Sequence, residues 1–304
     1  MPAARNTRRA IILAMADFDT FLSTAWTDHG ERPREVADRL GASLHVIDVP
    51  ARVPPYARIV THVFGEHLGE WQAGIDLLAQ VRSLAACDGD AAAANAVAQG
   101  IATLRHARGD SAALDGLSLE TRIGSLATVS ALFAGRGESA KALAAYADAL
   151  ALADQGLPAG SPAIRALAVG GNNLAATLEE KKDRDAAETA GMVMAAQNAL
   201  KYWKQAGTWL EEERAEYRLT KSLLQAQRPD AAIASAQRCV AVCAANDAPA
   251  FERFFAYAAL ALAQRAANGG TGWIATRDAA LAELAHVPAD ERSWCEAERL
   301  ALAG

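Results

Sequence analysis

Three segments of this chain repeat one pattern of large and small apolar residues at an interval of 45 residues. The first runs Leu126, Val129, Ser130, Phe133, Gly137, Ala142, Tyr146, Ala149. The second runs Leu174, Ala175, Leu178, Lys182, Ala187, Gly191, Met194, and the third Leu219, Thr220, Leu223, Gln227, Ala232, Ala236, Cys239. Ala142, Ala187 and Ala232 mark the register. A fixed period in the range of roughly 20–50 residues signals stacked supersecondary units, none of which can bury its apolar face alone. The chain is therefore expected to be an array of like units, and a binding scaffold before a pocket enzyme.

Composition says what the units are. Alanine dominates, with abundant Leu, Glu, Gln and Arg, all strong helix formers. No segment alternates with period two for long, so the reading is all-α. Apolar residues make up 52% of the chain, and so much of this is alanine that helices should pack closely on small side chains. The net charge of −6 lacks the basic excess of a general nucleic-acid or anionic-membrane binder. Cys87, Cys239, Cys243 and Cys295 form no C-x-x-C pair and read as buried, reduced residues.

Arg8-Arg9 followed by an apolar run to Ala16 looks like the start of a signal peptide. The helical pattern continues, however, through Phe18, Phe21, Leu22 and Trp26. One amphipathic helix over 8–25 accounts for both halves, and a cytoplasmic chain is expected. No apolar run is long enough for a membrane span.

Pro33 opens a second helix, which Gly41 is expected to stop, and 42–55 reads as a connector. Helices follow near 56–68, 70–86, 90–107, 117–135, 138–154, 161–181, 184–204, 208–226, 229–245, 249–267, 272–286 and 289–302. Ser161-Pro162 supplies a cap with a first-turn proline, and Thr208 with Glu211 a capping box. This gives an N-terminal cap and connector over 1–55 and one continuous array over 56–304, best defined over 117–245. The period fails before Leu78 and after Gly269.

The segments resemble the tetratricopeptide repeat (TPR), most fully from Leu126 to Ala149, where Phe133, Gly137, Ala142, Tyr146 and Ala149 fit its pattern. Lys182 and Gln227 replace the turn glycine in the later copies, and Gly191 and Ala236 replace the second-helix aromatic. The 45-residue period is longer than the family's usual one and is similar to long-helix arrays of bacterial regulators and kinesin-light-chain-type proteins. The resemblance implies a right-handed α-α superhelix of antiparallel hairpins. It also implies a protein or peptide ligand in the concave groove, and no catalytic residues, cofactor or metal.

In such arrays the first helix of each hairpin lines the groove. Asn173 precedes Leu174 as Arg218 precedes Leu219, and Arg214 lies one turn before Arg218. The trio resembles the carboxylate clamp of chaperone-binding TPR domains, in which an Asn and two basic residues grip a peptide terminus. Ala127 and Ala131 stand where the remaining clamp residues would be, so the clamp is incomplete. Asn172, Tyr217 and Lys221 complete the expected groove. The competing reading is a charged outer face on which the acids of Glu211-Glu212-Glu213 and Glu216 pair with the two arginines.

The sequence carries three further motifs. His62-Val63-Phe64-Gly65-Glu66-His67 superficially resembles a zinc-hydrolase helix. On an α-helix His62 and Glu66 share a face, while His67 turns about 100° away from Glu66. No third ligand is identifiable, so a packed histidine pair under Trp71 is expected, with a metal-dependent hydrolase the remote alternative. A helix-turn-helix around 34–43 fails because its second helix would meet Pro50. Gly170-Gly171-Asn172-Asn173 lies within a helical pattern and marks a close helix approach. The functional alternative to a scaffold is a regulatory sensor of a small molecule or signal peptide.

Overall fold

The computed structural model describes residues 18–268 and 270–303. The predicted first helix is seen from residue 18 and runs to 28 (α1); its start, with the signal-like run to Ala16, lies outside the described residues, as does Gly269. Among the described residues there are fourteen α-helices and no strand. None is long and apolar enough to cross a membrane. The chain packs as two compact units, Met1–Ala145 and Tyr146–Gly304.

The first unit contains α1, α2 (Pro33–Ala42), α3 (Val53–His62), α4 (Trp71–Arg82), α5 (Ala91–Ala107), α6 (Leu119–Gly135) and the first half of α7 (Ser139–Ala153). Leu40, Tyr56, Ile59, Leu78, Leu104 and Leu132 are fully buried in one core that includes Phe18 and Ala25 of α1. Pro33 sits in the first turn of α2 as expected, but Gly41 does not stop the helix, which ends one residue later. The connector is two short 3-10 turns, Leu44–Val46 and Pro50–Arg52.

The helix predicted over 56–68 is not α-helical to its end. Val63–Leu68 forms a π-helix, closed by Gly69 at φ 65°. Gly65 lets this wider turn lie against α5 and α6, since a Cβ there would stand 2.8 Å from Leu132 Cδ1 and 3.2 Å from Leu104 Cδ2. The i→i+5 bonding of a π-turn brings residues five apart onto one face. His62 and His67 consequently face each other rather than diverging. Their aromatic neighbour is Trp26, whose ring lies 5.1 Å from that of His62; Trp71 instead packs edge-on against Phe133.

The second unit holds the rest of α7 with α8 (Pro162–Glu180), α9 (Ala186–Ala206), α10 (Trp209–Gln225), α11 (Pro229–Ala245), α12 (Ala250–Asn268), α13 (Ile274–His286) and α14 (Glu296–Ala303). Each helix packs on its successor from α8 to α13, α10 also packs on α12, and α14 returns to α12.

The repeat is visible in which residues are buried. On the first helices five buried positions recur: 123, 126, 129, 130, 133 on α6, then 168, 171, 174, 175, 178 on α8, then 213, 216, 219, 220, 223 on α10. The interval is 45 throughout. On the second helices the set is 142, 145, 146, 149 on α7, then 188, 191, 192, 195 on α9, then 232, 235, 236, 239 on α11. Here the middle copy has slipped by one residue. Ala187 is exposed and is not a register mark, and the residue equivalent to Tyr146 is Met192, not Gly191.

The cause is the turn. α6–α7 and α10–α11 are joined by three residues, α8–α9 by five. In the first, Gly137 (φ 72°) donates to Ala134 O and Glu138 to Phe133 O. Ninety residues on, Gln227 (φ 56°) donates to Leu224 O and Arg228 to Leu223 O, the same helix-ending motif with a non-glycine in the left-handed position. Between them, Lys182 has no such conformation. Arg184 closes α8 instead: its Nη1 donates to Leu178 O at 2.5 Å and Glu179 O at 3.0 Å, supplying a side-chain donor to carbonyls of the last turn.

Candidate functional site

The predicted groove residues lie on α8 and α10, which pack side by side. Both helices start at predicted caps. Ser161 Oγ accepts from Ala163 N–H, and Thr208 with Glu211 forms a full capping box that holds the Glu211 carboxyl below its ordinary range. The first-helix register, unbroken between α8 and α10, puts Leu174 and Leu219 in equivalent buried positions. Their neighbours Asn173 and Arg218 are thereby equivalent too. Asn172 donates to Asn173 across 3.4 Å, so the two amides engage each other at the surface of α8.

The cations of α10 are engaged by carboxylates from other helices. Arg218 Nη1 donates to Glu179 Oε2 of α8 at 2.5 Å, and Ser222 Oγ donates to its Oε1 at 2.7 Å. Arg214 Nη2 donates to Glu252 Oε1 of α12 at 2.6 Å. Lys221 Nζ donates to Glu298 Oε1 of α14 at 3.0 Å, and the Tyr217 hydroxyl donates to the same oxygen. Tyr217 is half-buried, edge-on to Phe255 at 5.4 Å, and so is a packed residue more than an open aromatic platform.

The acids within α10, expected to neutralise these arginines, do something else. Glu211 caps the helix; Glu212 reaches Lys204 at 3.4 Å; Glu213 and Glu216 point inward. These last two occupy core positions of the repeat, where α6 carries Ile123 and Leu126 and α8 carries Ala168 and Gly171. Glu216 is satisfied by Arg238 Nε at 2.8 Å and Ser235 Oγ at 2.5 Å. Glu213 is not. Its Oε1 accepts from the Cys239 thiol at 3.1 Å, while Oε2 is buried with no donor to accept from. Burial, reinforced by the Glu252 charge, pushes its carboxyl up to about 8. Burial thus favours the protonated form of Glu213, in which Oε2–H can donate to Glu252. All four cysteines are free and buried, as their spacing implied.

At the turn end of the same unit an open cleft of about 660 Å³ is lined by Lys182, Arg184, Met194, Gln225, Gln227 and Arg228. The sequence alignment placed Lys182 and Gln227 in turns without bringing them together. Lys182 and Arg184 belong to the five-residue α8–α9 turn.

Fold and site together define a protein of sequential helix hairpins with a polar first-helix face. No protein-family model and no curated protein matches the chain. Among solved structures it is similar to a protein of Podosopora anserina described as a kinesin light chain with nearly identical TPR-like repeats. Identity is 14%, the TM-score 0.49, and the match covers 78% of this chain and 97% of that one. A point variant of the same protein matches with TM-score 0.48 at 14% identity, over 78% and 96% of the two chains.

Proposed function

We propose that the protein is a non-enzymatic TPR-like scaffold that takes a carboxylate-bearing protein or peptide segment on the α8–α10 face. The observation that carries this reading is that Arg214, Arg218 and Lys221, in line along α10, each hold a carboxylate supplied by a different helix. A row of cations already arranged for carboxylates can exchange them for those of a ligand, and Asn172 and Asn173 on α8 carry the amides that would hydrogen-bond a peptide backbone. Arg214 is the readiest to exchange, with its side chain 57% exposed.

The test is an array of random peptides with free or amidated C-termini, probed with the full chain. The comparison variant carries Arg214→Gln, Glu252→Gln, Arg218→Gln and Glu179→Gln, which removes each cation with its own carboxylate and strands no charge. Carboxylate-dependent binding that falls about tenfold or more, about 1.4 kcal/mol, in the variant supports the reading. Equal binding by both proteins, or none that depends on carboxylates, refutes it. The alternative, a small-molecule sensor, draws its support from the turn-end cleft and would leave this comparison unchanged.

A further inference from the structure

We propose that His29, His62 and His67 form a binding site for a single transition-metal ion of the zinc class, independent of the peptide-binding face. The spacing of the motif His62 to His67 argued against a metal only because an α-helix was assumed and because a third ligand was missing. The π-helix removes the first objection, and the turn after α1 removes the second by delivering His29.

The three imidazole centroids form a nearly equilateral triangle, each 4.9 Å from the other two. One nitrogen from each ring lies within 4.8 Å of the others. His62 Nε2 and His67 Nε2 are 3.1 Å apart. A tetrahedral ion with metal–nitrogen bonds of about 2.0–2.1 Å separates its ligands by about 3.3 Å, so this pair is already at coordinating distance. The two edges to His29 are no longer than 4.8 Å, and a small movement of that ring would bring them to the same distance.

Orientation is also provided. A metal-binding histidine is ordinarily fixed through its second nitrogen by a carboxylate or carbonyl. His62 Nδ1 lies 3.0 Å from Glu66 Oε2, and His29 Nδ1 lies 2.5 Å from Trp26 O. Both contacts leave Nε2 as the ligand atom. Gly135 makes room for the Glu66 side chain, because a Cβ there would stand 2.3 Å from Glu66 Cγ. Trp26 walls the site, 5.2 Å from His29 and 5.1 Å from His62. Without an ion, His67 and His62 share one hydrogen between their Nε2 atoms; with one, His67 carries that hydrogen on Nδ1. Three imidazoles suit Zn²⁺, Co²⁺, Ni²⁺ or Cu²⁺ and leave the fourth position to water or an added ligand.

The test uses the untagged full chain, stripped with chelator and titrated with Zn²⁺ by calorimetry and with Co²⁺ by visible absorption. One ion per chain, with the ligand-field band of tetrahedral Co²⁺, is the expected result. His62→Ala and His67→Ala should abolish it and His29→Ala weaken it at least about tenfold, while exposed His45→Ala leaves it unchanged. Circular dichroism establishes that each variant is folded. Glu66→Gln retains all three ligands and should lose about 10–100-fold in affinity, which keeps the test decisive if a histidine variant fails to fold. No uptake by the wild type overturns the proposal. Uptake undiminished by His29→Ala or Glu66→Gln overturns it equally.

Discussion

Replacing Glu213 with glutamine should make the protein more stable at neutral pH and leave it unchanged in acid. Glu213 stands at a repeat position that α6 fills with Ile123 and α8 with Ala168, and only 1% of it is exposed. Its folded-state carboxyl is raised to about 8 from an ordinary 4.5. For a raised group the contribution to stability is complete below the unfolded value and is lost as pH climbs through the folded one. Between pH 4.5 and 7 the unfolded chain releases this proton and the folded chain keeps it. That is 2.5 units at about 1.4 kcal/mol each, or roughly 3 kcal/mol lost by pH 7. Glutamine copies the protonated acid: its oxygen accepts from Cys239 and its amide donates to Glu252, but it does not titrate. The measurement is urea denaturation of wild type and Glu213→Gln from pH 4 to 8.5, because subtraction removes every other titrating group common to both. The variant-minus-wild-type difference should be near its minimum at pH 4 and grow by roughly 3 kcal/mol to pH 7. A difference that is flat, or that shrinks with pH, would show that Glu213 is ionised in the folded chain and that Arg214 neutralises it.

Three other substitutions follow from the same geometry. Gln227→Gly should stabilise by about 0.5–1 kcal/mol in chemical denaturation, since the side chain is exposed and its backbone lies at φ 56°, whereas Lys182→Gly should give no gain. Gly171→Ala should destabilise despite alanine's helical advantage of about 1 kcal/mol, because the new Cβ would sit 2.7 Å from Ala195 O of α9 and 2.3 Å from Tyr146 Oη; a raised melting temperature would contradict this close approach. Arg218→Ala should cost about 2 kcal/mol by leaving Glu179, 5% exposed, without its cation, and adding Glu179→Gln should recover most of the loss. Equal stability of the single and double variants would show that the pair is not coupled.

The helices were legible because alanine, leucine and glutamate recur at helical spacing and because Ser161, Thr208, Pro229 and Gly137 punctuate them chemically. The 45-residue interval relates five buried positions on each of the first helices, and Leu126, Val129, Ser130 and Phe133 with their later counterparts are among them. It misplaced α9 by one residue because the inserted turn residues are polar and leave no mark in an apolar pattern, while alanine at 187 supplied a false match. The π-helix was illegible for a similar reason: Val63-Phe64-Gly65 fits an α-helical pattern, and only the contact with Leu132 and Leu104 shows why the turn is wider. His29 was missed because it lies 33 residues from His62 and no local spacing links them. The partners of Arg214 and Arg218 were misread because adjacent acids in sequence are the natural guess; the packed helices supply carboxylates from 38 and 39 residues away instead.

The slip in α9 sharpens the functional argument. A groove lined by first helices depends on the register of α8 against α10 alone, and that register is intact. The irregular turn displaces only second-helix positions, so it alters packing behind the face without moving Asn173 relative to Arg218 along the repeat. What distinguishes α10 from its equivalents is charge. Its inward face carries Glu213 and Glu216 where α6 and α8 are apolar, and its outward face carries three cations, each held by a carboxylate from another helix. Polar groups at core positions of a repeat cost stability unless satisfied, and a sequence that departs from its own pattern twice in one helix marks the place where a requirement other than packing acts. That place is directly beneath the proposed ligand face. A ligand carboxylate that captured Arg214 would release Glu252, the group whose charge helps to raise the Glu213 carboxyl. Binding at the surface and protonation of the core are thus linked through one side chain. The linkage predicts that carboxylate peptides bind Glu213→Gln with a weaker pH dependence than wild type between pH 6 and 8.5, measurable by titration calorimetry; identical pH profiles would show that the face and the core carboxylate act independently.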